Sequence, residues 1–163
     1  MTETELINFG ILNGWLKSMA RFNDKTNNGH EFVIAKYEKS NKIEEFCNEI
    51  FSNIAEEIEI QPVEEFKSLL INRFNFWFYQ FQVNNPLQEN YLEDKHNNFS
   101  LSDAEWKKEW VQEFVELLIG TLKPIEGYSI YLKKMKSYYC NLADDIILVN
   151  ENQYFRIHCC LTD

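Results

Sequence analysis

The stretch from Pro62 to Val83 constrains the fold most, because it is the densest run of large apolar side chains in the chain. At about 100° per residue, most of them fall on one broad helical stripe: Val63, Phe66, Leu70, Phe74, Trp77 and Phe81, widened by Ile71 and Phe78. Leu69 and Phe76 lie on another side, so this helix is predicted to contact neighbours in two directions. A helix apolar over so much of its circumference is typical of a core. We therefore predict a central helix over 62–83, with Pro62 in its first turn.

Three further helices are predicted from apolar periodicity and from capping residues. The four predicted helices are 4–22, 42–59, 62–83 and 102–122. The first and the last begin at capping boxes, Thr2 with Glu5 and Ser102 with Glu105, in which each side chain bonds the other residue's backbone N–H. Asn41 is the expected cap of the second. Residues 84–100 are predicted to form a long polar connection, and loops of this length often carry function.

The strand signals concentrate at the C-terminal end. Residues 145–149 and 154–161 flank the polar turn NENQ and read as an antiparallel hairpin. The Tyr-rich segment 128–139 has room for one strand, and 31–37 is ambiguous between a strand and a helical turn, with a strand favoured. We predict an α+β fold: a helical N-terminal two-thirds, with about four helices around the central aromatic helix, and a C-terminal antiparallel β-meander of about three strands.

Length and charge limit the classes of partner. The 163 residues predict a single domain over 1–163. The 26 acidic and 16 basic residues give a net charge of −10, which opposes nucleic acid and anionic membrane as partners because phosphate binding needs basic patches. The N-terminus has no basic segment followed by an apolar one, so we expect no signal peptide, a cytoplasmic protein and reduced cysteines.

A cluster of thiols and one imidazole, formed by Cys140, His158, Cys159 and Cys160, raises the question of a metal site. No C-x-x-C pair is present, and adjacent cysteines of a strand point to opposite faces. We therefore predict no metal, no cofactor and no catalytic residue, with these side chains packed as small apolar groups. His158 and Cys160 share a strand face, so a Cys–His nucleophilic pair remains geometrically open.

Acidic side chains are the candidate partner-binding residues. The predicted helices 42–59 and 102–122 each present a row of glutamates opposite their apolar face, and Asp144 and Asp145 are predicted to form an acidic turn before the first hairpin strand. The rows equally suit a solvated surface, and the aspartates a capped turn. The candidate partner-binding residues are Glu45, Glu49, Glu56, Glu105, Glu109, Glu113, Asp144 and Asp145.

The C-terminal sixth of the chain resembles a known class of proteins. It combines the aromatic-Cys segment Tyr139-Cys140, the pair Asp144-Asp145, an apolar strand and a last aromatic strand that leads to Asp163. In this it resembles the ends of immunity proteins of bacterial polymorphic-toxin systems, although Leu142-Ala143 stands where an aromatic residue often precedes the aspartates. The resemblance implies a small, acidic, non-enzymatic cytosolic protein that blocks a toxin by binding it, and it transfers no contact residues.

Three functions fit the sequence. The first is an acidic inhibitor that occludes a basic toxin or effector through electrostatic complementarity. The second is a phage or bacterial adaptor that binds through apolar surface, for example the aromatic side chains of 128–139. The third is a small hydrolase or thiol enzyme that uses Cys160, His158 or Asp145. Oligomeric state does not follow from the sequence.

Overall fold

The protein, seen here in a computed structural model, is described over residues 1–24, 29–39, 41–78 and 105–162. The predicted connection 84–100 lies outside these ranges, as do residues 101–104 with the predicted cap Ser102. In chain order the described elements are α1 (Glu3–Asn23), β1 (Gly29–Glu38), α2 (Ile43–Phe51), β2 (Ala55–Pro62), α3 (Phe66–Trp77), α4 (Glu105–Leu122), β3 (Glu126–Met135), β4 (Leu142–Val149) and β5 (Gln153–Thr162).

The five strands form one antiparallel sheet in the order β1-β5-β4-β3-β2. The predicted three-stranded C-terminal meander is therefore wrong, although the protein remains α+β. The meander β3-β4-β5 exists, but strands from the N-terminal half pair with both of its edges. An isolated meander would leave two rows of backbone N–H and C=O groups unpaired, and β1 and β2 satisfy them. The favoured strand at 31–37 is confirmed as β1.

The predicted helix 42–59 is wrong in its second half. The helix ends at Phe51, and after a short turn the chain continues as β2. The segment IEIQP also alternates apolar and polar residues with the period of a strand. The strand is favoured because β3 offers a matching partner, with Ile58 opposite Leu132 and Ile60 opposite Ile130. The predicted Asn41 cap is wrong too, since Lys42 is the N-cap and makes no side-chain cap bond.

The two faces of the sheet carry different layers. Helices α1, α3 and α4 cover one face, and their core includes Leu16, Leu70, Phe74, Trp77, Phe114, Ile146 and Phe155. Helix α2 covers part of the other face, where Phe46, Cys47 and Phe51 pack on Ile130, Ile147, Val149 and Tyr154. The sheet is thus apolar on both faces where helices lie on it. On the face that α2 covers only in part, the uncovered area carries polar side chains.

Helix α3 is buried as the sequence predicts but is shorter. Leu70, Phe74 and Trp77 are at most 1% exposed, so its role in the core is confirmed. Pro62 ends β2 instead of beginning the helix, and residues 79–83 lie outside the described ranges. At the start of the chain the Thr2–Glu5 capping box is confirmed. Among the described residues, no helix is long and apolar enough to cross a membrane.

Candidate functional site

The glutamates predicted to bind a partner lie on two separate surfaces. Glu45 and Glu49 are exposed on α2 together with Glu44, and Glu56 is exposed at the start of β2. Because Ile58 and Ile60 face α2, strand alternation puts Glu56 on the same side of the sheet. We call Glu44, Glu45, Glu49 and Glu56 the α2 acidic face. Within the described residues, no ion pair reaches any of these four carboxylates.

The second surface lies on the opposite side of the molecule. Glu105, Glu109 and Glu113 are exposed on α4, which packs on the other face of the sheet; we call them the α4 acidic row. Part of its charge is balanced, because Lys108 Nζ lies 2.8 Å from Glu105 Oε1. The structure therefore does not unite the six glutamates, and of the two surfaces the α2 acidic face carries more unbalanced charge.

Asp144 and Asp145 lie inside β4 and not in a turn, so their side chains point to opposite faces. On the helical side, Trp77 Nε1 donates to Asp144 Oδ2 at 2.6 Å, and Arg73 Nε lies 3.5 Å from Asp144 Oδ1. The carboxylate thus ties α3 to the sheet. Neither aspartate contributes to an acidic rim, since both are engaged inside the protein.

Asp145 is the centre of a buried polar cluster with Tyr139, Arg156 and His158. Arg156 Nε donates to Asp145 Oδ1 at 2.7 Å, and Tyr139 Oη donates to Asp145 Oδ2 at 2.9 Å. His158 Nδ1 lies 3.0 Å from Asp145 Oδ1 and 3.1 Å from Tyr139 Oη. Burial alone would raise the pKa of Asp145, but the hydrogen bond from His158 and the charge of Arg156 hold that pKa below its usual value. Asp145 is therefore an ionised group that organises its neighbours.

The cysteines are poor nucleophiles in this setting. Burial raises the pKa of the Cys160 thiol to about 11 and raises that of Cys159 well above its ordinary value. Burial also raises the pKa of Cys140. A thiol with such a pKa is protonated near neutral pH, whereas nucleophilic catalysis needs the thiolate. The Cys–His pair left open by the sequence is thus not favoured by its environment.

A groove of about 550 Å³ lies beside the α2 acidic face. Glu44 and Glu45 form part of its wall, together with Glu126, while Tyr128 and Tyr154 provide aromatic surface. Lys39 and Lys42 also border it. The groove combines an acidic wall with aromatic side chains, which suits a basic peptide segment that carries apolar groups.

The sequence places His158 and Cys160 on one strand face, but it does not predict their third neighbour, Glu31. In the pairing of β1 with β5, Glu31 stands opposite Cys160, and His158 lies two residues earlier on the same strand face. The carboxylate, imidazole and thiol ligand atoms of these three residues all lie within 4.8 Å of one another. No linear spacing connects Glu31 to residues more than a hundred positions later. The only available signal was the pattern of His158 and Cys160, at positions i and i+2 of a strand.

Comparison with known proteins adds no assignment: no family model, curated protein or solved structure matches the chain.

Proposed function

We propose that this protein is a non-enzymatic, cytoplasmic inhibitor of the immunity type, which binds a basic toxin or effector protein through the α2 acidic face and occludes its active cleft. The single observation that carries the proposal is the set of exposed carboxylates on that face, none of which is ion-paired within the described residues. The four free cysteines fit a reducing compartment.

Charge and shape support the α2 acidic face over the α4 acidic row. A cationic partner approaching a chain of net charge −10 is attracted at long range. Close contact then favours acids that have no ion-paired cation to displace, and among the described residues none is ion-paired with Glu44, Glu45 or Glu49. The adjoining groove adds apolar contact area, which charge pairs alone do not supply. The proposal does not use Asp144 and Asp145, because their carboxylates are engaged with Trp77 and Arg156.

The experiment begins with the tagged protein purified from its native cells under reducing conditions. The captured partner is then produced separately, and its association with this protein is followed by surface plasmon resonance. Replacing Glu45, Glu49 and Glu56 with lysine should slow association about tenfold at low salt. The matched control replaces Glu105, Glu109 and Glu113 with lysine. The inhibitor function also predicts that the wild-type protein suppresses the partner's toxic activity at one-to-one stoichiometry.

Unchanged association of the Glu45, Glu49 and Glu56 variant would refute the α2 interface. A captured partner whose activity is unaffected by the complex would refute inhibition.

An adaptor that binds through apolar surface is the second candidate. Leu6, Ile7 and Ile11 on α1 are about half exposed, at 52%, 58% and 49%. The aromatic segment named in the sequence contributes Tyr131 and Tyr138, which are 39% and 67% exposed. Binding through these side chains is insensitive to ionic strength, whereas binding through the α2 acidic face weakens as salt screens it. The same association measurements at low and high salt therefore separate the two candidates.

A further inference from the structure

Three residues on one sheet face gather the types of side chain that bind a transition metal. Glu31 comes from β1, while His158 and Cys160 come from β5, and the register of these two strands fixes their positions. Their ligand atoms lie within 4.8 Å of one another. In a tetrahedral zinc site, neighbouring ligand atoms are roughly 3.5 Å apart, given bonds of about 2.0–2.3 Å. Reaching that spacing needs a closer approach of the ligand atoms, and Glu31 is the exposed member of the three.

The imidazole of His158 has a carboxylate partner of the kind that metal-binding histidines have. Its Nδ1 is engaged by Asp145 and Tyr139, so Nε2 is the nitrogen left for a metal. A carboxylate on the far nitrogen fixes the tautomer and raises the basicity of the ligating nitrogen. Asp145 is in turn held by Arg156. The buried polar cluster thus supplies the hydrogen-bonded outer partners that a metal ligand needs. A histidine that only fills space in a core does not need them.

Three protein ligands leave one position of a four-coordinate site for water. Cys140 neighbours Cys160, but its thiol is not among the ligand atoms that all lie within 4.8 Å of one another. One thiolate, one imidazole and one carboxylate suit Zn²⁺, which is borderline-soft and accepts S, N and O ligands. Cys160 releases its thiol proton to solvent as the ion binds.

We propose that Glu31, His158 and Cys160 bind one Zn²⁺ ion, with a water molecule in the fourth position. The side of the cluster formed by Glu31 is exposed, which gives the ion a path from solvent, while His158 and Cys160 are 7% and 3% exposed. The site joins the edge strand β1 to β5. Its position is separate from the α2 acidic face, so it stands independently of the proposed inhibitor function.

The test titrates chelator-treated, reduced protein with ZnCl₂ in an isothermal calorimeter and measures thermal unfolding with and without the ion. We expect one ion per chain with a Kd below about 1 μM and a rise in the unfolding temperature. The Glu31→Gln and Cys160→Ala variants should each weaken binding by at least about tenfold, the loss typical even of changes beyond the ligands themselves. Controls are Glu38→Gln, an exposed glutamate of the same strand, and Cys47→Ala, a buried cysteine outside the cluster; both should bind like wild type.

Two results would overturn the site: the absence of saturable binding, or binding that Glu31→Gln and Cys160→Ala leave unchanged. Because Glu31 is exposed, its variant is expected to fold even if a change at Cys160 does not, and circular dichroism verifies this. Titration with Co²⁺ provides a second readout, since thiolate-to-cobalt charge transfer should appear in wild type and be lost in Cys160→Ala. A band of wild-type intensity in Cys160→Ala would overturn the assignment of Cys160 as a ligand, and the site with it.

Discussion

Asp145 is the residue on which the polar part of the sheet depends. It accepts hydrogen bonds from Arg156 and Tyr139 and lies against His158, although its side chain is only 3% exposed. The Arg156 guanidinium lies 4.7 Å from the centre of the Phe51 ring of α2, an arrangement in which a cation is attracted to the aromatic face. The ion pair of Asp145 with Arg156 therefore links β4 and β5 with α2.

Replacing Asp145 with Asn should destabilise the protein by about 3–5 kcal/mol, because it leaves the Arg156 charge buried without its counter-ion. The shape of the side chain is kept, so the loss reports charge and not packing. The measurement is the free energy of unfolding in urea. The matched control is Asp144→Asn, the same change one residue earlier. Its amide oxygen still accepts from Trp77, so the variant loses mainly the charge beside the partly exposed Arg73 and should cost at most about 1 kcal/mol. Equal losses in the two variants would contradict this account of Asp145.

Gly127 lies where α3 contacts β3, and its lack of a side chain allows this contact. A Cβ atom at this position would lie 2.8 Å from Phe66 Cβ. Gly127→Ala should therefore destabilise the protein by about 1–3 kcal/mol through overpacking. Gly10→Ala is the control, since nothing lies within 4 Å of its added Cβ on α1, and it should stabilise by about 0.5–1 kcal/mol. Thermal unfolding followed by circular dichroism measures both, and a neutral Gly127→Ala would show that α3 shifts freely.

At the scale of elements, α1 does more than cover the sheet. The Asn13 side-chain amide donates to the carbonyl of Ile34 at 3.1 Å, and its oxygen accepts from the Ile34 N–H at 2.9 Å. Asp24 accepts from the backbone N–H of His30 at 2.7 Å. Edge strands expose such groups and promote pairing between molecules. These two side chains therefore occupy part of the outer edge of β1.

Asn13→Ala should cost about 1–3 kcal/mol, because both backbone groups of Ile34 lose a partner in a partly buried place. The variant should also self-associate more than wild type at the same concentration, since the edge of β1 is less protected. Urea unfolding measures the first effect and sedimentation velocity the second. Asn48→Ala, at an exposed position of α2, sets the baseline for the substitution. An Asn13→Ala variant as stable as Asn48→Ala would refute the role of the amide.

The sequence predicts elements best where the local pattern is unambiguous. The local pattern correctly predicts the Thr2–Glu5 capping box and the two hairpin strands. It also predicts the burial of Leu70 and Trp77, because the spacing of apolar residues along a helix shows which side is buried. The prediction fails over residues 54–60, where the apolar residues fit both the 3.6-residue period of a helix and the 2-residue period of a strand. The choice depends on pairing with β3, for example of Ile60 with Ile130, which lies seventy positions later. Local periodicity holds no information about that partner, so β2 and the five-stranded sheet were missed.

The candidate site residues also divide into those whose exposure follows from local periodicity and those whose neighbours depend on long-range strand pairing. That Glu45, Glu49 and Glu109 are exposed follows from helical periodicity, and the structure agrees. The meeting of Glu31 with Cys160 depends on the pairing of β1 with β5, a non-local contact with no motif. The environment of Asp145 also escaped prediction, since its partners Arg156 and Tyr139 are brought together only by the sheet and the segment before β4.

At the scale of the whole molecule, the sheet holds two acidic surfaces apart. The α2 acidic face and the α4 acidic row lie on opposite layers, so one compact partner domain contacts only one of them. The other then acts through long-range attraction, which changes the rate of encounter more than the lifetime of the complex.

This separation predicts different kinetics for the two triple variants. Each Glu→Lys change adds two positive charges, so three changes move the net charge from −10 to −4 in either variant. The Glu105, Glu109 and Glu113 variant should associate with the basic partner a few-fold more slowly at low salt but dissociate at the wild-type rate, because its changes lie outside the contact. The Glu45, Glu49 and Glu56 variant should both associate more slowly and dissociate faster. Surface plasmon resonance at two salt concentrations resolves the rates. If both variants dissociate like wild type, total charge and not the α2 acidic face governs binding; if only the α4 variant dissociates faster, the partner contacts the opposite layer.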